Sequence, residues 1–178
     1  KLHAPNWFIE NQDGGVNPHD EIDDPLKSAE VLQAHVDEGL KFARKNRLPK
    51  PIANFIPEHQ GTLKMGYFLN KAEEKKLNFN ESDFRYKGPI PQSKETAILM
   101  LADGCEAALR AMDINASDSE ALETISKIVN SRETDGQLND SNLSKGEIFL
   151  IKKSFLNVWK RIRHRRIQYP TTKNNTFS

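Results

Sequence analysis

The sequence predicts an all-α fold, and three of its features carry that prediction. Apolar residues recur at intervals of three and four, several Ser and Asp residues stand where they would cap a helix, and no segment keeps the alternation of a β-strand. With 178 residues, of which 37% are hydrophobic, the chain is long enough to bury one core. We expect one helical domain over residues 1–170 and a disordered polar tail over residues 171–178.

The composition narrows the class of protein. The net charge is +1, so the chain has no strong field that would attract a nucleic-acid polymer. A single cysteine, Cys105, excludes a disulfide scaffold and favours a reducing compartment. No apolar run approaches the roughly 20 residues of a membrane-spanning helix. These features predict a soluble globular domain.

The first long helix is predicted to begin after Asp23 or Asp24, either of which can cap it, with Pro25 at the first position. Residues 1–20 are rich in Asn, Gly, Pro and Asp, and we expect them to form an ordered loop or a lid. A turn over residues 47–51 ends this helix, and a shorter helix follows and stops at Gly61. The apolar faces of these two helices include Leu32, His35, Val36 and Leu40 in the first, and Ile52, Phe55, Ile56 and His59 in the second.

The second half of the chain carries the clearest helix signals. A Pro/Gly-rich loop over residues 86–91 precedes the most apolar helix, which opens at Ser93. Two later segments begin with a serine followed three residues on by a glutamate, the pattern of a capping box, and each is predicted to start a long helix. These pairs are Ser117 with Glu120 and Ser144 with Glu147.

Three residues carry a chemical signal. His35 and His59 lie within predicted apolar faces, and Asp103 lies inside the apolar run of residues 98–105. A buried ionised carboxylate is costly unless it is paired, hydrogen-bonded or bound to a metal. From the residues alone, hydrogen-bonded core histidines and a capping or salt-bridged aspartate remain open beside a metal site. Imidazole and carboxylate together suit Zn, Fe or Mn.

Nearly the whole chain resembles a known family in a series of short segments that follow one another in order. They include residues 8–12, Asn17-Pro18-His19-Asp20, Ile56-Pro57-Glu58-His59-Gln60-Gly61-Thr62, Phe84 to Pro89, Ile98 to Asp103, and Asp135-Gly136-Gln137-Leu138. On these segments the chain resembles the HD domain of the seven-transmembrane HD (PgpH-like) family of cyclic di-AMP phosphodiesterases. The resemblance implies an all-α HD-domain helical bundle.

The resemblance also implies a metal centre. It assigns His35, His59 and the following Gln60 to one divalent ion and Asp103 to a second, with Mn or Fe as the expected metals. Lys1 resembles the last residue of the family's His-Asp-Ile-Gly-Lys segment, so we expect an N-terminally truncated domain whose His-Asp pair lies upstream. The family commonly has a second histidine where this chain has Gln60, which is a weaker ligand.

The implied activity is two-metal hydrolysis of cyclic di-AMP to linear pApA. Arg85 is the candidate phosphate binder because a guanidinium can donate to two oxygens at once, and Tyr86 is a candidate for stacking on a base. Lys94 and Lys1 are further substrate-binding candidates. A surface salt bridge for Arg85 and a partly buried ring for Tyr86 remain open.

The resemblance implies the cytoplasmic domain of a bacterial inner-membrane protein, anchored through upstream segments, with a cyclic dinucleotide as its partner and no nucleic-acid polymer. We expect the fragment by itself to be inactive or nearly so. Two alternatives stay open. One is a catalytically impaired nucleotide-sensing HD domain, which Gln60 favours, and the other is an HD phosphohydrolase for another nucleotide.

Overall fold

The structure is a computed structural model, and it describes Trp7 and residues 18–166. The described part is helical and contains no strand, which confirms the predicted all-α class; its one β-type contact is an isolated antiparallel bridge between Lys64 and Arg85. No helix in this part combines the length and the apolar character needed to cross a bilayer. The helices are α1 Pro18–Ile22, α2 Pro25–Lys45, α3 Lys50–Ala53, α4 Phe55–Glu58, α5 Gly66–Glu74, a 3-10 helix Glu81–Phe84, α6 Lys94–Arg110, α7 Asp118–Thr134 and α8 Lys145–Arg166.

Two apolar clusters form the core. One joins α6, α7 and α8, and the other joins α2, α5 and the 3-10 helix. The short helix α4 contacts both α2 and α6, so it connects the two halves of the bundle. The first cluster contains Ala97, Leu101, Cys105, Ile125, Val129, Leu138 and Ile148, and the second contains Ala29, Met65, Phe68, Leu69, Ala72 and Phe84.

The predicted helix starts are confirmed. Asp24 caps α2 by accepting a hydrogen bond from the Lys27 amide at 3.1 Å, and Pro25 follows at the first helical position. Both predicted capping boxes form, with the Glu120 carboxylate 2.7 Å from the Ser117 amide and the Glu147 carboxylate 2.9 Å from the Ser144 amide. Each box satisfies amides that the helix itself leaves without a partner.

The structure differs from the prediction in three places. Pro18 to Ile22 form a helix, α1, within a region whose residues up to 20 were predicted to be loop. Helix α5 was not predicted, because it is only nine residues long and buries just Phe68, Leu69 and Ala72, too few to show a period. The predicted helix ending at His59 is divided at Asn54 into α3 and α4. The predicted tail over residues 171–178 lies outside the described residues.

Candidate metal centre

Two predicted ligands, His35 and His59, meet at the contact between α2 and α4. His35 lies in the middle of α2, and His59 caps the C-terminus of α4. Their Nε2 atoms are 3.5 Å apart, although the two residues are 24 positions apart in the chain. The rings are half-buried and meet edge to face, with centroids 5.5 Å apart.

The backbone fixes which nitrogen of each ring carries the proton. Nδ1 of His35 donates to the Leu32 carbonyl, and Nδ1 of His59 donates to the Ile56 carbonyl at 2.6 Å. A carbonyl oxygen can only accept, so each Nδ1 carries a hydrogen, and in a neutral ring the lone pair is then on Nε2. A carbonyl partner for the outer nitrogen is the usual orientation of a metal-ligating histidine.

The spacing of the two lone pairs fits one metal ion. Two nitrogens about 2.0–2.1 Å from a common ion lie roughly 2.8–3.0 Å apart at an octahedral angle and roughly 3.3–3.4 Å apart at a tetrahedral angle, and the tetrahedral distance is close to the observed 3.5 Å. Two imidazoles alone do not complete a metal site. Among the described residues no group of three His, Cys, Asp or Glu side chains is arranged to hold an ion.

Tyr86 covers His35 from the other side. The two rings meet edge to face with centroids 5.9 Å apart. The Gln33 side-chain amide lies on α2 and holds this segment in place, because it is 2.9 Å from the carbonyls of both Asp83 and Arg85. Burial raises the pKa of the Tyr86 hydroxyl well above its ordinary range, and the nearby Asp103 carboxylate adds to the shift. Tyr86 is therefore a neutral, half-buried wall of the site.

Asp103 is exposed, so the predicted burial of its carboxylate was wrong. A helix turns about 100° per residue, so Asp103, two residues after Leu101 and two before Cys105, lies on the side of α6 opposite these core residues. The apolar run is two-sided, since Ile98 and Leu99 are also exposed. Asp103 remains close enough to Tyr86 to affect its pKa. Its role as a metal ligand remains a prediction.

The loop that carries His59 is held on one side by a buried carboxylate. Glu58 is 2% exposed, and its Oε2 accepts hydrogen bonds from the Thr96 hydroxyl at 2.6 Å and from the Gln92 amide at 2.9 Å. Both donors lie at the start of α6, so Glu58 ties the end of α4 to that helix. This position fixes the adjacent His59 relative to α6.

The other side of the loop is held by Gln137, which lies after α7 and is 1% exposed. Its Oε1 accepts from the Thr62 amide at 3.0 Å, and its Nε2 donates to the Thr62 hydroxyl at 2.8 Å and to Asp135 at 2.9 Å. Gly61 has a φ of +52°, and a Cβ there would lie 2.5 Å from Gln137 Oε1 and 2.6 Å from Met100 Cε. Only glycine fits this turn without displacing the Gln137 side chain.

The predicted substrate-binding residues are largely engaged in local contacts. Arg85 donates to Glu81 at 3.1 Å and to the Thr62 carbonyl at 3.0 Å, and it lies 3.4 Å from Asp135. Lys94 is exposed and forms an ion pair of 2.5 Å with Glu147.

Gln60 and Lys1 are the remaining predicted site residues. Gln60 is half-buried directly after His59, and its carbonyl accepts from the Leu63 amide at 3.1 Å. Lys1 lies outside the described residues. None of the predicted binding roles of Arg85, Lys94, Gln60 and Lys1 is tested by these contacts.

Sequence reasoning missed the residues that hold the His59 loop. Glu58, Thr62 and Gln137 are ordinary polar residues, and no periodicity or spacing links positions 62 and 137. The one available signal was that the segments 56–62 and 135–138 both carry the family resemblance. Their side chains hydrogen-bond to each other in the structure.

Known proteins resemble this chain over nearly its whole length. No family model matches it. It is 47% identical over 175 residues to an uncharacterized protein of Synechocystis sp., which covers 96% of the chain. It is 36% identical over 174 residues to the cyclic-di-AMP phosphodiesterase PgpH of Listeria monocytogenes, and 36% over 170 residues to that of Bacillus subtilis, covering 98% and 96% of the chain. The chain spans only 22–24% of the length of these relatives.

Solved structures give the same assignment. The crystal structure of the L. monocytogenes PgpH HD domain in complex with cyclic di-AMP matches with a TM-score of 0.86 and 34% identity, covering 91% of this chain and 75% of that one. Another crystal structure of the same HD domain matches with a TM-score of 0.84 and 34% identity, covering 92% and 76%. The predicted family resemblance is confirmed: the chain belongs to the PgpH-like family of HD domains.

Proposed function

We propose that this chain is the HD domain of a membrane-anchored, metal-dependent phosphodiesterase that hydrolyses cyclic di-AMP to linear pApA. The observation that carries the proposal is the pair His35 and His59, whose Nε2 atoms face each other at 3.5 Å while each Nδ1 donates to a backbone carbonyl. A relative 34% identical to this chain has been solved in complex with cyclic di-AMP, and two longer relatives are cyclic-di-AMP phosphodiesterases. The family implies dependence on divalent metal ions.

His35 and His59 would hold one divalent transition-metal ion, with the Gln60 amide beside it, and Asp103 would bind a second. Mn or Fe is the proposed metal, because imidazole with carboxylate or amide oxygen suits first-row ions. When bound, such ions supply Lewis acidity toward phosphoryl oxygens and toward water. The Nδ1 hydrogen bonds to Leu32 and Ile56 keep both rings in the ligating tautomer.

The chain's own residues would enclose the reacting phosphate. The Tyr86 ring packs on His35 and would form one wall of the site. Glu58 and Gln137 hold the His59 loop against α6, so the site is preorganised before substrate binds. The proposal places the domain on the cytoplasmic side of a bacterial inner membrane, anchored by segments outside this chain.

The test uses the full-length parent protein in detergent or membranes. Cyclic di-AMP turnover is followed by chromatography of pApA, and bound metal is measured by elemental analysis. We expect wild-type turnover with Mn or Fe, and its loss together with loss of bound metal in His35→Ala and in His59→Ala. Lys127→Gln is the matched control and should behave as wild type, because Lys127 is an exposed lysine of α7 that pairs with Glu123.

The results of these experiments distinguish the proposed function from the two alternative functions. Tight cyclic di-AMP binding without turnover in the wild-type parent would favour a nucleotide-sensing domain, which is the alternative that Gln60 supports. Turnover of a different nucleotide in preference to cyclic di-AMP would reassign the substrate. Retention of both metal and turnover in His59→Ala would remove the histidine pair from the site.

A further inference from the structure

A groove beside the candidate metal centre contains an arginine that the resemblance does not assign. The groove has a volume of about 450 Å³ and lies between the loop that follows His59 and the C-terminal turn of α7. It is lined by Leu63, Lys64, Ser131, Arg132, Thr134 and Asp135.

Arg132 lies directly against α6 next to Asp103. A Cβ built on Gly104 would be 3.2 Å from Arg132 Nη2 and 3.9 Å from its Cζ, so the guanidinium rests on the helix where a side chain is missing. Glycine inside a helix is unfavourable by roughly 0.5–1 kcal/mol relative to alanine, so its presence in α6 suggests a packing reason. The seated guanidinium supplies one.

Arg132 is also close to the His59 loop. Met100 touches the loop at Gly61, and Gly104 follows Met100 by four residues, about one helical turn of roughly 5–6 Å. Asp103 lies in the same turn of α6. The guanidinium therefore lies one turn along α6 from the loop that carries the proposed ligand His59. It also lies beside the position of the second proposed ligand, Asp103.

The guanidinium of Arg132 has an unused hydrogen-bond donor. Its Nε is buried without a hydrogen-bond partner, and none of the ion pairs among the described residues includes Arg132. The other charged groups of the groove are paired, Lys64 with Glu81 at 2.9 Å and Asp135 with Arg85 at 3.4 Å. Asp135 and Asp103 also attract the Arg132 guanidinium, but neither forms an ion pair with it among the described residues. A half-buried cation with an unused donor is costly in the absence of an anion.

We infer that Arg132 binds a phosphate of the cyclic dinucleotide, donating N–H hydrogen bonds to its non-bridging oxygens, while Arg85 supports the walls of the groove. This rests on the proposed function and deepens it. A guanidinium presents donors in a planar fork that matches two phosphate oxygens. Arg85 has already committed such donors to Glu81, the Thr62 carbonyl and Asp135. Neither nearby carboxylate neutralises Arg132 fully, because Asp135 is paired with Arg85 and Asp103 would hold a metal ion.

The test compares Arg132→Met and Arg132→Lys with the matched control Arg110→Met in the full-length parent. Arg110 is an exposed arginine at the end of α6 that is paired with Glu106. Loss of a charged hydrogen bond costs about 10- to 100-fold in binding. We expect the Kd and KM for cyclic di-AMP to rise at least tenfold in Arg132→Met and less in Arg132→Lys. Bound metal and Tm should match wild type in both variants, and Arg110→Met should change nothing.

A second readout separates binding from a structural role. Methylguanidinium added to Arg132→Ala should restore part of the cyclic di-AMP affinity, because it can fill the space left over Gly104. An unchanged affinity of Arg132→Met for cyclic di-AMP would overturn the assignment of Arg132. A normal affinity accompanied by loss of bound metal and a lowered Tm would overturn it too, and neither result would affect the proposed function. A wild-type parent that neither binds nor hydrolyses cyclic di-AMP would overturn the proposed function as well. If Arg132→Met does not fold, Arg132→Lys decides the question. A wild-type affinity of Arg132→Lys for cyclic di-AMP would refute the claim that the guanidinium donates to two phosphate oxygens.

Discussion

The turn at Gly61 should be the most sensitive single position near the candidate site, and Gly61→Ala tests this. Two separate costs arise. The backbone has a φ of +52°, which costs a residue with a Cβ roughly 1–2 kcal/mol. The new Cβ would also lie 2.5 Å from Gln137 Oε1, so this side chain must move.

The size of the effect follows from what Gln137 does. Moving it endangers two hydrogen bonds to Thr62, at 3.0 Å and 2.8 Å, each contributing about 0.5–1.5 kcal/mol. With the backbone strain, the expected loss of unfolding free energy is about 2–5 kcal/mol. For a protein of this size, that lowers Tm by roughly 4–20 °C. The His59 loop shifts with Thr62, so metal affinity should fall as well.

Thermal denaturation of the metal-free protein measures the loss of stability, and calorimetric titration with Mn measures the loss of metal affinity. Gly66→Ala is the matched control, because nothing lies within 4 Å of a Cβ there and the residue begins α5 with no positive φ. It should leave Tm unchanged or raise it slightly. If Gly61→Ala has the Tm and the metal affinity of the wild type, the claim that Gln137 and this turn fix the His59 loop is refuted.

Three further predictions test other parts of the structure. Asp103→Asn should abolish hydrolysis by the parent protein while leaving the Tm of the metal-free protein unchanged, because the carboxylate is exposed; a collapsed melt would make it a structural residue. Glu58→Gln should lower the unfolding free energy by about 1–3 kcal/mol in chemical denaturation, because one carboxylate oxygen of Glu58 accepts two hydrogen bonds, the one from Thr96 fully buried; an unchanged midpoint would contradict this. The hydrogen bond from Lys94, and then those from Ser144, lower the pKa of Glu147 from 4.5 to about 2, so its stabilisation is complete above pH 4.5 and is lost as the pH falls toward 2. Glu147→Gln should therefore lose less stability than the wild type between pH 4.5 and pH 2. If the two proteins lose stability equally over this range, the Glu147 carboxylate does not contribute as described.

Local signals in the sequence were sufficient for the starts of the long helices. Asp24, Ser117 and Ser144 predict helix starts because a side-chain oxygen must meet amides only two or three residues away. The His35 and His59 pair was also predictable in part, since each lies on an apolar face. Helix α5 escaped prediction because its buried face is set by contact with α2, not by its own period.

Local signals in the sequence could not predict which side of a two-sided helix is buried, and they could not predict contacts between distant segments. Asp103 stands in a continuous apolar run, but both sides of α6 carry apolar residues, so the run does not say which side is inside. The bonds between Thr62 and Gln137 join positions 75 residues apart. Arg132 over Gly104 is likewise visible only once α6 and α7 are packed together.

The hydrogen bonds between Thr62 and Gln137 also set an order of events during synthesis. Thr62 leaves the ribosome 75 residues before Gln137, which at roughly 5–20 residues per second is a delay of about 4–15 s. During that interval the α2–α4 contact can already bring His35 toward His59, while the turn at Gly61 still lacks its partner. A nascent chain therefore carries two neighbouring imidazoles in an unfinished loop, and a ligating geometry is fixed only after the end of α7 has been made.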